Sequence, residues 1–300
     1  MSKERQVDFA HIDVFARRPL EGNPLAVFLD ARGLTDGQMQ AIAREMRLSE
    51  TTFVLPREKN IERVKGVQTR IFTVQEELPF AGHPTLGTAW VLKEKSVETE
   101  ILLDLKVGPV PVRFSRRDDK SFGEMIQPDP KWGATHKPKL VADALGVEPS
   151  DLDPNTPIVT VSTGNAFAIV PFRSLDTLQK LRPDPVQMEE YLKTSDAKYF
   201  YLVSRQTENP EARLHARMIF YGGEDPATGS AAGPAAAWML RNGWIQPEEL
   251  VWVEQGIEIS RPSQIFVRAG GSRERPQRIR VGGFCFGAIQ GKLTLPDLAN

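Results

Sequence analysis

The chain has 300 residues, about two domains' worth, and its 38 basic and 39 acidic side chains leave a net charge of -1, without the basic excess of a nucleic-acid binder. It contains no run of about 18 apolar residues, and its start, Met1-Ser2-Lys3-Glu4-Arg5, is charged with no apolar segment behind it; neither a membrane span nor a signal peptide is expected, and a cytosolic protein is. The single cysteine, Cys285, excludes an internal disulfide and a cysteine-based zinc cluster, and the scattered His11, His83, His136 and His215 lack metal-site spacing, so no metal is expected.

Val7 to Phe15 and Leu25 to Leu29 are apolar runs joined by Pro19 and Gly22-Asn23-Pro24, which predicts two strands. Thr35-Asp36-Gly37-Gln38 has the form of a capping box, and Met39, Ile42, Ala43 and Met46 recur at helical spacing, which predicts a helix with one buried face. It ends near Arg47 and gives way to a β-branched stretch, with Glu50 at the junction. Val64 to Thr73 reads as another strand. Next come Glu77-Leu78-Pro79-Phe80-Ala81-Gly82-His83 and an apolar run to Trp90, with Pro84 where a first-position helix proline belongs.

Strand-like segments follow at Ile101 to Leu105 and Val110 to Phe114, and the Pro-rich segment Gln127 to Pro138 reads as the linker, placing domains at 1–130 and 131–300. There the pattern restarts. Gly164-Asn165-Ala166-Phe167-Ala168-Ile169-Val170 repeats Gly22 to Phe28 at a spacing of 142, and Glu224-Asp225-Pro226-Ala227-Thr228-Gly229-Ser230 repeats Glu77 to His83 at 147. Between them lie helix-like Leu175 to Leu181 and Val186 to Leu192 and strands at Tyr199 to Ser204 and Ala212 to Phe220. An internal duplication of whole domains is expected, with strands near Ile279 to Leu295 crossing back to the first.

Thr85 to Leu92 and Ala231 to Leu240 are small or apolar at nearly every position; helices of this kind must be enclosed by the strands of their own half. Each starts at a polar loop, where free N–H groups and the positive dipole end favour an anion. Ser230 reads as a helix N-cap, and Pro234 predicts a bend or a late helix start.

Asp13-Val14-Phe15 with Gly22 to Val27, Leu48-Ser49-Glu50-Thr51-Thr52-Phe53, Leu78 to Ala89 and Glu224 to Ser230 together resemble the PhzF-like family of phenazine-biosynthesis isomerases, over most of the chain. The resemblance implies an α+β fold like that of diaminopimelate epimerase: two pseudo-symmetric β-barrel-like domains, each wrapped around a central helix, with the active site in the cleft between them. It implies Glu50 as acid/base, with Gly82, His83, Asp225, Gly229 and Ser230 lining the substrate site, and His83 and Asp225 counted among the catalytic groups. The family usually carries a proline after Phe-Thr, where Val74 stands here.

A carboxyl at position 50, flanked by Leu48 and Phe53, would be partly desolvated and its pKa raised toward the range useful for proton transfer. Diaminopimelate epimerase uses two cysteines, one before the glycine of each loop; Ala81 and Thr228 stand there, so two-thiol chemistry is excluded. Cys285, in Gly282-Gly283-Phe284-Cys285-Phe286, reads as a packed core thiol. The expected function is a cofactor-independent isomerase acting on a small anionic substrate such as trans-2,3-dihydro-3-hydroxyanthranilate, with a homodimer as the assembly. Two alternatives stand beside it: an epimerase or isomerase of another small carboxylate using Glu50 and Asp225, and a catalytically idle sensor or protein-interaction member of the fold.

Overall fold

The computed structural model describes residues 5–220 and 223–295. The fold is α+β, and it divides into two compact units: the chain up to Met125 together with the chain from Gly283, and Ile126 to Gly282. Among the described residues no helix is long and apolar enough to cross a membrane.

The first unit contains β1 (Arg5–Val14), β2 (Asn23–Phe28), α1 (Asp36–Met46), β3 (Thr51–Leu55), α2 (Lys59–Lys65), β4 (Val67–Phe72), β5 (Glu77–Leu78), α3 (Gly82–Lys93), β6 (Glu100–Leu105), β7 (Gly108–Arg117) and β8 (Lys120–Ile126). Consecutive sheet neighbours alternate: β1 and β2 antiparallel, β2 and β3 parallel, β3 and β4 antiparallel, β4 and β6 parallel, β6 and β7 antiparallel. Each parallel pair needs a crossover, and α1 and α3 supply it. The capping box of α1 forms as expected, Gln38 N–H donating to Thr35 Oγ1 and Thr35 N–H to Gln38 Oε1. Its Met39, Ile42 and Ala43 are buried in a cluster with Phe28, Phe53 and Phe72, whose neighbouring rings lie 5.2 and 5.4 Å apart.

Helix α3 is buried along most of its length and packs against β1, β2, β3, β6 and β7. The small residues explain the approach: a Cβ on Gly87 would stand 2.7 Å from methyls of both Leu25 and Val14, and one on Gly123 of β8 would stand 2.5 Å from Leu86. The strand read at Val64 to Thr73 starts only at Val67, because 59–65 forms the charged, fully surface helix α2. The loop carrying Val74 is closed without a proline. Thr73 N–H donates to the Glu76 carbonyl, while Gln40 and Arg44 of α1 hold the carbonyls of Thr73 and Val74.

The second unit contains β9 (Lys131–Thr135), α4 (Pro138–Leu145), β10 (Val159–Ser162), β11 (Ala166–Phe172), α5 (Leu175–Lys180), α6 (Pro185–Lys193), β12 (Tyr199–Ser204), β13 (Leu214–Arg217), β14 (Ile219–Phe220), β15 (Gly223–Glu224), α7 (Gly229–Arg241), β16 (Val251–Gln255), β17 (Ser263–Gly271) and the first part of β18 (Pro276–Leu295). Its pairings from β10 run antiparallel, parallel, antiparallel, parallel, antiparallel through β11, β12, β13, β16 and β17, the same order as in the first unit. Helix α7 is as enclosed as α3. The segment read as a linker contains β9, which pairs with β10. Strand β18 pairs with β17 in its first half and with β1 in its second.

Candidate active site

Glu50 stands between α1 and β3. Arg47 ends the helix with φ +53, and β3 begins at Thr51 between β2 and β4, so the crossover delivers Glu50 to a strand entrance. Gly82 and His83 are the first two residues of α3. A hydroxyl bridge, Thr88 Oγ1 to Thr52 Oγ1 at 2.8 Å, ties that helix to that strand. The result is a direct approach: His83 Nε2 lies 3.5 Å from Glu50 Oε2, with the side chains 5 % and 16 % exposed. Burial pushes the His83 imidazole down to about 3, so it is neutral at physiological pH. A neutral imidazole can accept a hydrogen bond from a protonated carboxyl or donate one to a carboxylate, according to tautomer. Pro84 occupies the third position of the helix rather than the first; it is tolerated because the first four helical N–H groups have no intrahelical acceptor.

Asp225 precedes α7, which begins at Gly229. The N-cap position belongs to Thr228, and Ser230 is the second helical residue; the expectation that Ser230 caps the helix is therefore corrected. Thr228 does not cap through its side chain either: its hydroxyl donates to Asp225 Oδ2 at 2.6 Å and accepts from Gln255 Nε2 at 2.9 Å. Gln127, buried, donates to the Gly229 carbonyl at 2.9 Å and accepts from Thr163 Oγ1 at 2.5 Å. Pro234 lies inside the helix, so the expected late start does not occur. Having no N–H, Pro234 leaves the Ser230 carbonyl without its usual intrahelical donor.

Two arginines at these loops went unread in the sequence. Arg70 Nε and Nη2 donate to Glu77 Oε1 and Oε2 at 2.7 and 2.8 Å; Arg217 Nε and Nη2 donate to Glu224 Oε1 and Oε2 at 2.9 and 2.7 Å. Both are bidentate forks, and each joins a longer strand, β4 or β13, to the short strand that leads into a helix mouth. Carrying the 147-residue spacing seven positions back from Glu77 and Glu224 finds both arginines.

Packing and hydrogen bonding account for two other reactive side chains, Cys285 and His136. Cys285 pairs with Val14 in the sheet, and burial pushes its thiol pKa up, so it stays protonated. His136 joins Tyr191 and Thr160 at 2.7 Å on each side. A cavity of about 710 Å³ in the first unit, lined by residues including Phe9, Trp90, Glu94 and Ile289, touches neither Glu50 nor His83. The Glu50 and His83 geometry, not the size of that cavity, identifies the candidate site.

Residues 12–291 match the model of a family described as phenazine biosynthesis-like protein. The chain is similar to the trans-2,3-dihydro-3-hydroxyanthranilate isomerase of Pseudomonas fluorescens, 39 % identical over 92 % of this chain and 95 % of that one. Among solved structures it is similar to a phenazine biosynthesis protein of the PhzF family from Bacillus anthracis, with TM-score 0.85, 28 % identity and coverage of 97 % and 100 %. It is also similar to a protein from Pseudomonas aeruginosa described as a predicted epimerase, with TM-score 0.81, 34 % identity and coverage of 96 % and 99 %.

Proposed function

The chain belongs to the phenazine biosynthesis-like family and is an isomerase, and from that premise we propose that it moves a proton on a small cyclic amino acid or related carboxylate, with Glu50 as the group that removes and returns it. The observation that carries this reading is the 3.5 Å approach of Glu50 to a buried, neutral His83 in the first turn of α3. The substrate we infer is the one named for the Pseudomonas fluorescens relative, trans-2,3-dihydro-3-hydroxyanthranilate. Glu50 as carboxylate takes the proton from carbon 3, the electron pair of that bond moves into the conjugated diene, and the proton returns to a distant ring carbon. The product is an isomer, so no electron acceptor is consumed and the reaction calls for no cofactor.

His83 supports this reading as a neutral hydrogen-bonding neighbour of the carboxyl. The N–H groups at the helix start at Gly82 in the first unit, and those at Gly229 and Ser230 in the second, are each suited to an anionic substituent of a substrate, and Asp225 to an amine or hydroxyl. We also infer that the chain is internally duplicated, each unit a barrel-like sheet around one helix; the repeated pairing order and the repeated Arg–Glu fork support this.

Glu50→Gln keeps the shape and loses the proton-transfer function, and the expected result is a loss of about 10²–10⁴ in kcat with substrate binding retained. Deuterium at carbon 3 should reappear in part at the new position. An active Glu50→Gln enzyme, or product carrying only solvent hydrogen with Asp225 equally indispensable, would overturn the single-base reading.

A further inference from the structure

Asp225 and Thr228 are held by a side chain that no neighbouring motif contains. Gln255, the last residue of β16, is fully buried. Its Nε2 donates to the Asp225 carbonyl at 2.7 Å and to Thr228 Oγ1 at 2.9 Å; its Oε1 accepts from Thr228 N–H at 3.2 Å and from the Tyr201 hydroxyl at 3.1 Å. Two donors and two lone pairs are all used. The backbone sets the orientation of this amide. Reversed, it would press NH₂ against the Thr228 N–H and oxygen against the Asp225 carbonyl. Tyr201 is fully buried, and burial together with the Asp225 charge pushes its pKa up, which keeps it a donor.

Direction passes on from there. Thr228 Oγ1 has one proton, and because it receives the Gln255 N–H it turns that proton to Asp225 Oδ2. Next to Gln255, Gly256 takes φ +79 in a place where a Cβ would stand 2.6 Å from the Pro226 carbonyl. Ser263 Oγ donates to that same carbonyl at 2.8 Å. Gln255 and Ser263 thus hold by hydrogen bonds the backbone of a loop some thirty positions earlier, and Gly256 lets that backbone approach.

We propose that Gln255 is the positioning residue for Asp225: the chain of hydrogen bonds from its amide through the Thr228 hydroxyl fixes where the Asp225 carboxylate points and where α7 begins. This deepens the function proposed above and rests on Asp225 taking part in that reaction. It makes a chemical prediction that a packing role does not. A glutamate at 255 has no donor when ionised, so it repels the Asp225 carbonyl and draws the Thr228 proton away from Asp225. Protonated, it regains one O–H donor and part of the chain.

The test is kcat and KM on trans-2,3-dihydro-3-hydroxyanthranilate over a range of pH, together with amide hydrogen exchange of the peptide covering residues 225–230. Gln255→Met should speed exchange in that peptide and lower kcat about 10²-fold, the scale of a misplaced group, with a smaller change in KM. Gln255→Glu should recover as pH falls, along a limb the parent enzyme does not show. Thr228→Val, which removes one hydroxyl at nearly constant shape, cuts the same chain and carries the test alone if the glutamine variants do not fold. The double variant Gln255→Met with Thr228→Val should be little worse than either single one. Unchanged exchange, an undiminished kcat in Gln255→Met, or a Gln255→Glu profile parallel to the parent's would each overturn the proposal. Full turnover in Asp225→Asn would instead overturn the reading on which it rests, while faster exchange in Gln255→Met would still uphold the loop-holding step.

Discussion

The repeated Arg–Glu fork offers one interaction in two settings, and the settings predict different energies. Arg217 and Glu224 have side chains 3 % and 9 % exposed; Arg70 and Glu77 are 22 % and 20 % exposed. Arg217 Nη1 also donates to the carbonyls of Leu178 and Leu181 at 2.7 and 3.0 Å. Arg217→Met therefore strands a buried carboxylate and leaves two buried carbonyls without this donor, which should cost about 3–5 kcal/mol. Arg70→Met leaves Glu77 and the exposed Asp36 in contact with water and should cost about 1 kcal/mol. Urea unfolding followed by tryptophan fluorescence reads both forks, since Trp90 lies in the first unit and Trp132, Trp238, Trp244 and Trp252 in the second. Adding Glu224→Gln to Arg217→Met should restore part of the loss by removing the stranded charge. Equal costs at the two forks, or the larger cost at Arg70, would refute the argument from burial.

Burial opposes the charge on His215, but hydrogen bonds from its two ring nitrogens to Glu254 and Glu258, each 2.8 Å, outweigh it and raise its pKa to about 9. Its folded value lies above the ordinary value of about 6.5, so its stabilisation is complete below that pH and is lost as pH rises through 9; His215→Gln should flatten this alkaline limb in a pH series of urea melts. His83 has the opposite sign: with its pKa lowered to about 3 the unfolded chain binds the proton first, so stability should fall as pH drops from about 6.5 toward 3, and His83→Asn should remove that slope. Ser230→Ala should change stability by less than about 0.5 kcal/mol, because Ser230 is not the cap, and should weaken ligand binding measured by calorimetry; a loss near 1 kcal/mol with unchanged binding would reverse the assignment.

Contiguous patterns were legible in the sequence. The capping box at Thr35, the junction carrying Glu50, the strand from Tyr199 to Ser204 and the two enclosed helices all follow from short-range spacing and composition, and the 147-residue offset aligns Gly82 with Gly229, the first residue of each helix. That alignment also made the two loops comparable before any contact was known. Local chemistry also suggested that Ser230 should cap its helix, and there tertiary structure decided otherwise. The helix starts two residues earlier than a cap at Ser230 requires, and the Thr228 hydroxyl is drawn to Asp225 within a loop that Gln255 grips from a distant strand end. Gln127, Gln255, Arg70 and Arg217 share this character. Each is a polar side chain whose partners arrive through strand pairing or a crossover, and a buried donor or acceptor must find its complement wherever the sheet register brings one. Residue type and spacing therefore mark where the helix mouths are and align the two arginines, while the partners of these amides and guanidiniums are set by the folded register.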